Sequence, residues 1–413
     1  MALQIDFIRQ HFPALSGDWV FFDNAGGSQT LKLVCDRITD FLLTSNVQLG
    51  ASYALSQLAS ARVLQGREAA ATLINAADSS EVVLGHSTSL LLRGLSIGLC
   101  RTWQAGDEVI VTNSDHEANV SPWIDLQRQG IKVKTWKLNP ETLEFDLADL
   151  AALMTPRTRL VAMTHASNIL GTINPLKPVA DLVHAHGALL CVDGVGYAAH
   201  RAIDVQAWDV DFYAFSFYKV YGAHHALLYG KRQHLLEIPG INHYFIQETE
   251  IPYKFQPGGP NYELSYSVLG LCDYLQAVAQ KHSSSTTELT LRQAIIQAFK
   301  YIGDYENTIG NRLLQYLASH SKVRVVGLPS ANTETRVPTI SFVVKGADSA
   351  AIPPQIDPHR VGIRYGDFYA KRLIQDLDLV AQNGVVRVSM VHYNTVEEVD
   401  RLIECLAPIL DRA

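Results

Sequence analysis

The chain has 413 residues, 47% of them hydrophobic and 18% charged, with 34 Lys and Arg against 41 Asp and Glu. That length supports two or three domains around a large buried core, and a formal charge of −7 without a basic block excludes nucleic acid as an expected partner. No apolar run approaches the roughly 20 residues that span a bilayer, so no membrane association is expected either.

Met1–Gly17 lacks the basic head and apolar core of a secretory signal. Cys35, Cys100, Cys191, Cys272 and Cys405 are scattered and form no C-x-x-C pair. A reduced, cytoplasmic protein is the expectation.

In chain order, a short helix is expected around residues 3–11. From about residue 60 to 230, short β-rich runs alternate with helical patterns. The runs Val82–Leu84, Glu108–Thr112, Leu160–His165, Leu189–Val192, Phe212–Phe215 and Ala226–Tyr229 are near-continuous apolar stretches, as buried parallel strands are. Helices are expected at 59–77, 88–104, 117–129 and 177–186. Such alternation predicts an α/β sheet covered by helices on both faces. A helical stretch follows about residue 265 and runs through Gln280. The polar run His282–Glu288 reads as a turn, and a second helix is expected over 289–319. Strands near 323–326, 338–344 and 385–390 and an amphipathic helix Val396–Leu410 complete a smaller α+β unit. The expected division is a large domain over 20–288 and a small one made of 1–19 with 289–413, the N-terminal helix packing against the latter.

Ligands of open α/β sheets bind at the carboxyl ends of the strands, so the residues just after each strand matter most. Five such places carry chemistry. Gly85-His86-Ser87-Thr88-Ser89 opens a helix and is either an anion seat or an ordinary N-cap. Ser114-Asp115-His116-Glu117 offers a His that could stack on a flat ring, bind a metal or sit in a polar loop. Asn168 could bond a ligand oxygen or merely form a turn. Asp193 ends an apolar strand, where a carboxylate is costly unless paired, so it suits a protonated ring nitrogen, a nucleotide or a metal. Lys219 lies among aromatics in Phe215-Ser216-Phe217-Tyr218-Lys219, and is either a desolvated reactive amine or a Lys that snorkels to solvent. A metal hydrolase using Asp115, His116 and Asp193 lacks a ligand spacing such as H-E-x-x-H, so no metal is expected.

Taken together, the order anion seat, ring-stacker, Asn, Asp and Ser-x-Lys on successive strand ends is hard to obtain by accident. With Phe22-Asp23-Asn24-Ala25-Gly26-Gly27 near the start and Arg387-Val388-Ser389 near the end, nearly the whole chain resembles the class V aminotransferase-fold proteins of the cysteine desulfurase and selenocysteine lyase branch. The resemblance implies a pyridoxal 5'-phosphate (PLP)-dependent transferase fold of type I, with a mainly parallel central sheet and a smaller α+β C-terminal domain. It implies that Lys219 holds PLP as a Schiff base, that His116 stacks on the ring, that Asp193 binds its nitrogen and that Asn168 lies near its phenolic oxygen. Ser87, Thr88, Ser216 and Tyr218 would hold the phosphate. Arg387 would clamp the substrate carboxylate, with Arg364 and the Asp23–Gly27 loop, Asn24 and Ala25 in particular, on the substrate side. Lys219, His116 and Asp193 would be the catalytic set. A homodimer with shared active sites and a small amino-acid substrate are implied too.

Three departures from the resemblance stand out. Gly196 replaces a Gln usual three residues after the Asp. Gly258-Gly259-Pro260-Asn261 lacks a Thr that reaches the neighbour's phosphate. Tyr369 stands where desulfurases carry their persulfide Cys. The expected reaction is therefore β-elimination, a C–S or C–Se lyase step on a cysteine-like substrate that needs no catalytic thiol. The alternatives are a desulfurase without the usual Cys, an aminotransferase or epimerase of the same fold, and a non-catalytic accessory protein.

Overall fold

A computed structural model describes residues 3–283 and 288–412. The strand β1 (Val20–Phe21) is short and pairs with a segment far along the chain. The large sheet is built from β2 (Val82–Gly85), β3 (Glu108–Thr112), β4 (Lys132–Trp136), β5 (Thr158–Thr164), β6 (Leu189–Asp193), β7 (Phe212–Ser216) and β8 (Ala226–Gly230). Their spatial order is β2-β8-β7-β6-β5-β3-β4. The pairs from β7 through to β4 are parallel, and β8 is antiparallel to both of its neighbours.

Alternate strand residues enter opposite cores, as the two-residue period requires. Val161, Met163, Leu190, Val192, Tyr213 and Phe215 pack on one face against the helices Ala54–Ile74, Leu176–Ala185 and Tyr262–His282. Leu160, Ala162, Cys191, Phe212 and Ala214 pack on the other, against the helix Thr88–Cys100 and Trp123. Both faces are thus covered, as the sequence pattern predicts for an α/β sheet.

Beyond this sheet, β9 (Val323–Val326) and β10 (Thr339–Val344) begin a second one. β11 (Val361–Gly362) runs parallel to β1. β12 (Arg364–Gly366) and β13 (Val385–Ser389) complete the second sheet in the order β12-β13-β10-β9, all antiparallel. The helices Leu291–Ala318 and Val396–Arg412 cover it. Thr290 and Gln293 cap the first of these with reciprocal bonds, a capping box that fixes where the helix starts. Its first half buries Ala294, Ile295, Ala298 and Phe299 in the core of the large sheet, and its second half buries Ile309, Leu313 and Leu317 in the core of the small one.

Several expectations need correction. The N-terminal helix covers only Ile5–Arg9, and its apolar neighbours Leu3, Ile8 and Phe12 enter the large-sheet core. Arg9 reaches the last helix through Glu398 at 2.8 Å. The helix expected over 117–129 is broken into a turn, the short helix Ser121–Ile124 and a second turn. Pro122 lacks an N–H, and Glu117 and Asn119 bond Ser121 and Trp123 through their side chains. β4 escapes the sequence reading because Lys132-Val133-Lys134-Thr135-Trp136 is an edge strand carrying two lysines, not an apolar run. The turn expected over 282–288 lies partly outside the described residues. No described helix is long and apolar enough to cross a membrane.

Candidate active site

The carboxyl ends of the central strands converge on one cleft. β2 leads into Ser87, whose extended backbone (φ −157°) makes it the N-cap of the helix Thr88–Cys100, its Oγ accepting from Leu90 N–H at 3.2 Å. Ser216 ends β7 and puts its Oγ 2.7 Å from Thr88 Oγ1. The helix start therefore offers its first free N–H groups and a cluster of hydroxyls to an anion.

β3 leads to His116. Its Nδ1 accepts from Ala118 N–H at 3.0 Å, which leaves the proton of the neutral ring on Nε2. Burial and the nearby Lys219 ammonium push its pKa down to about 4, so the ring is neutral at pH 7. Behind it, Asp115 accepts from Asn119 Nδ2 at 2.6 Å, from Thr164 N–H at 3.0 Å and from Thr112 Oγ1. Asp115 is fully enclosed, and burial pushes its pKa up to about 8. These bonds tie the end of β3 to the end of β5 and so fix the backbone that carries His116.

Asp193 ends β6. One oxygen accepts from Val195 N–H at 2.9 Å, and burial raises its pKa to about 6 against the pull of that N–H and of Lys219. Lys219 follows β7 in a single turn of 3-10 helix and makes no hydrogen bond or ion pair among the described residues. Its Nζ lies 5.7 Å from the Tyr218 ring centre. Burial and the Arg387 guanidinium push its pKa down to about 8, while Asp193 and Asp23 oppose the change. Ser87, Thr88, His116 and Asn168 thus share the cleft with Asp193, Ser216, Tyr218 and Lys219, all eight positions expected around a cofactor. Thr164 and Ala166, which the sequence reading misses, line it as well. Thr164 closes β5, so the strand-end rule applied to that strand would have found it.

The arginines expected on the substrate side lie on the second sheet. Arg387 on β13 is buried, with Nη2 donating to Asp23 Oδ1 at 2.8 Å and Nη1 to the Asn168 carbonyl at 3.2 Å. Its guanidinium lies 3.7 Å from the Phe368 ring centre, and its Nε has no partner. Arg364 on β12 is the direct cross-strand partner of Arg387, is exposed, and reaches Asp23 Oδ2 at 3.3 Å.

Asn24 and Ala25, expected on the substrate side, bond within their own loop and to the second sheet. The Asn24 side chain is buried, its Nδ2 facing the carbonyls of Phe21 and Ser389, each at 2.8 Å, while its Oδ1 accepts from Tyr393. The Ala25 N–H donates to Ser389 Oγ at 2.9 Å. Both pin their loop to the second sheet, and Asp23, one residue earlier, faces the two arginines.

The three departures have visible causes. A Cβ on Gly196 would stand 2.3 Å from the Ala166 carbonyl oxygen, so no side chain fits there. Gly258 and Gly259 both have φ of +82°, a conformation that favours glycine. Tyr369 is exposed, tilted against His116 with ring centres 5.1 Å apart. No cysteine lines the cleft, and Cys191 and Cys272 are buried with thiol pKa values pushed up by desolvation.

A mostly parallel sheet covered by helices on both faces, with a smaller second sheet, is the fold of type I PLP-dependent enzymes. The model of the family described as aminotransferase class-V matches residues 20–309 and 296–402, and the chain belongs to this family of PLP-dependent enzymes. Among individual relatives, it is 41% identical to an aminotransferase-like protein of Gibberella zeae, over 99% of both chains. It is 33% identical to a cysteine desulfurase-like protein of Aspergillus flavus, over 99% of this chain and 91% of that one. The crystal structure of the cysteine desulfurase CsdA from Escherichia coli superposes with a TM-score of 0.83 at 26% identity, covering 100% of both chains.

Proposed function

We propose that the protein is a PLP-dependent lyase that cleaves the C–S or C–Se bond of a cysteine-like amino acid by β-elimination. Lys219 carries the reading: an amine without a hydrogen bond or ion pair among the described residues, its pKa pushed down to about 8, in the same cleft as a desolvated Asp193.

The residues present fit the cofactor. The first turn of the helix Thr88–Cys100, with the hydroxyls of Ser87, Thr88, Ser216 and Tyr218, would hold the phosphate. The neutral His116 ring would lie against the pyridine face, with Asn168 near the phenolic oxygen. Asp193 would accept from the ring N–H, a partner that relieves its desolvation. When bound, PLP supplies an electron sink for charge developing at the substrate Cα.

Arg387 would orient the substrate through its carboxylate. Lys219 Nζ would take the Cα proton, a task suited to an amine that is substantially neutral near pH 8. For L-cysteine the balance is cysteine and water giving pyruvate, ammonia and hydrogen sulfide. This route uses no thiol, in keeping with Tyr369 at the cleft and five cysteines outside it. The relatives named as desulfurases support the substrate class rather than a persulfide relay in this chain.

A homodimer is part of the proposal. Leu90, on the helix that starts at the cleft, is 59% exposed, and Tyr244 is 98% exposed, which supports cover by a second copy. Five free cysteines support a reducing, cytoplasmic setting.

The test is to load the purified protein with PLP, record its visible absorbance, and assay pyruvate and alanine with L-cysteine. Pyruvate that disappears in Lys219→Ala is the expected result. Alanine with sulfane sulfur, or no bound PLP, overturns it.

A further inference from the structure

The arginine assigned to the substrate carboxylate is already engaged. Arg387 is buried, and its closest polar contact is the Asp23 carboxylate at 2.8 Å. A buried guanidinium with no counter-charge would be costly, so some carboxylate must be present whether or not substrate is bound. Arg364 stands directly across the strand pair β12–β13 from Arg387, an arrangement of like charges that is unfavourable by itself. Asp23 relieves it by bridging the two, one oxygen to each guanidinium at 2.8 and 3.3 Å.

The Asp23 side chain is 28% exposed, so it meets solvent at the mouth, whereas that of Arg387 is only 2% exposed. Gly26 leaves one flank of the carboxylate clear: a Cβ there would come within 2.9 Å of Asp23 Oδ2 and 3.1 Å of Oδ1. The carboxylate can therefore leave Arg387 without losing its other cation.

We propose that Asp23 sets the site's substrate affinity, holding Arg387 in the free enzyme and yielding it to the incoming α-carboxylate while remaining on Arg364. The exchange replaces one charge-assisted bond with another, so only the difference between them contributes to binding. Arg364 acts through Asp23 as a positioning residue and need not touch the substrate. This rests on the reading of Arg387 as the carboxylate site.

The experiment titrates PLP-loaded enzyme with L-alanine and follows the cofactor absorbance in wild type, Asp23→Asn, Asp23→Glu, Arg364→Gln and the double variant Asp23→Asn with Arg364→Gln. Asp23→Asn is expected to tighten L-alanine about fivefold, because a charged competitor is gone, and Asp23→Glu to stay near wild type. Arg364→Gln is expected to weaken binding about fivefold by leaving Asp23 to Arg387 alone, and to have no effect once Asp23 is Asn. Weaker binding in Asp23→Asn overturns the proposal. So does an Arg364→Gln effect that persists undiminished in the Asn background, which would mean direct contact with the ligand. An Arg387→Gln control that leaves affinity unchanged instead refutes the carboxylate assignment on which the proposal rests.

Discussion

The depressed Lys219 amine makes a quantitative prediction about the pH at which the protein captures its cofactor. An ordinary lysine titrates near 10.5, whereas burial and Arg387 bring Lys219 to about 8. The difference corresponds to about 3 kcal/mol favouring the neutral amine. Only the neutral amine attacks an aldehyde, so the rate at which cofactor-free protein takes up PLP should rise with pH and level off above about 8. Two variants should move that midpoint in opposite directions. Asp193→Asn removes a charge that favours the ammonium, so the midpoint falls. Arg387→Gln removes a cation that opposes it, so the midpoint rises. Stopped-flow absorbance across pH 6–11 reads all three proteins, and the cofactor's own ionisations cancel between them. The folding linkage has a matching sign. The unfolded chain holds this proton to the ordinary lysine value while the fold releases it near 8, so stability rises as pH increases between those values. A wild-type midpoint near 10, or shifts of the same sign in both variants, would refute the reasoning.

Other outcomes follow from packing and charge. Gly196→Ala pushes a Cβ to within 2.3 Å of the Ala166 oxygen; it should cost about 1–3 kcal/mol in thermal unfolding and weaken PLP retention, since both residues line the cleft. Asp211 accepts from Leu190 N–H and His184 at 2.8 Å each and meets Lys231 at 2.8 Å, so Asp211→Ala should lose about 3–5 kcal/mol in denaturant melts. These partners hold the Asp211 carboxyl well below its ordinary pKa. Its contribution should therefore be complete above pH 4 and shrink as pH falls further, which melts of wild type and variant across pH 3–7 would read.

The α/β architecture was legible because six of the strands are near-continuous apolar runs, and the strand-end rule singled out the places of Ser87, His116, Asn168, Asp193 and Lys219 while leaving the role of each open. What escaped has physical reasons. β4 carries two lysines at a sheet edge, one of them paired with Glu108 at 2.7 Å, so its pattern is not that of a buried strand. Asn24 and Asp23 are both polar residues of one loop. Only the fold reveals that the first is consumed by Phe21, Ser389 and Tyr393 while the second meets two arginines some 340 to 360 residues away. Arg364 and Arg387 look unrelated along the chain and become neighbours through an antiparallel register. The requirement for glycine at 196 depends on a carbonyl from another strand end, which no local pattern encodes.

The helix Leu291–Ala318 has a thermodynamic consequence. Its 28 residues contribute to two cores in succession, and Glu306 near its middle is buried between His200 at 3.0 Å and Arg201 at 2.8 Å. Neither core can open without stripping half of this helix of its packing and leaving an unpaired carboxylate in a dry seam. The two sheets should therefore melt in a single cooperative transition. A cut at the exposed end of the helix would weaken one core, whereas a break near Glu306 would bring down both.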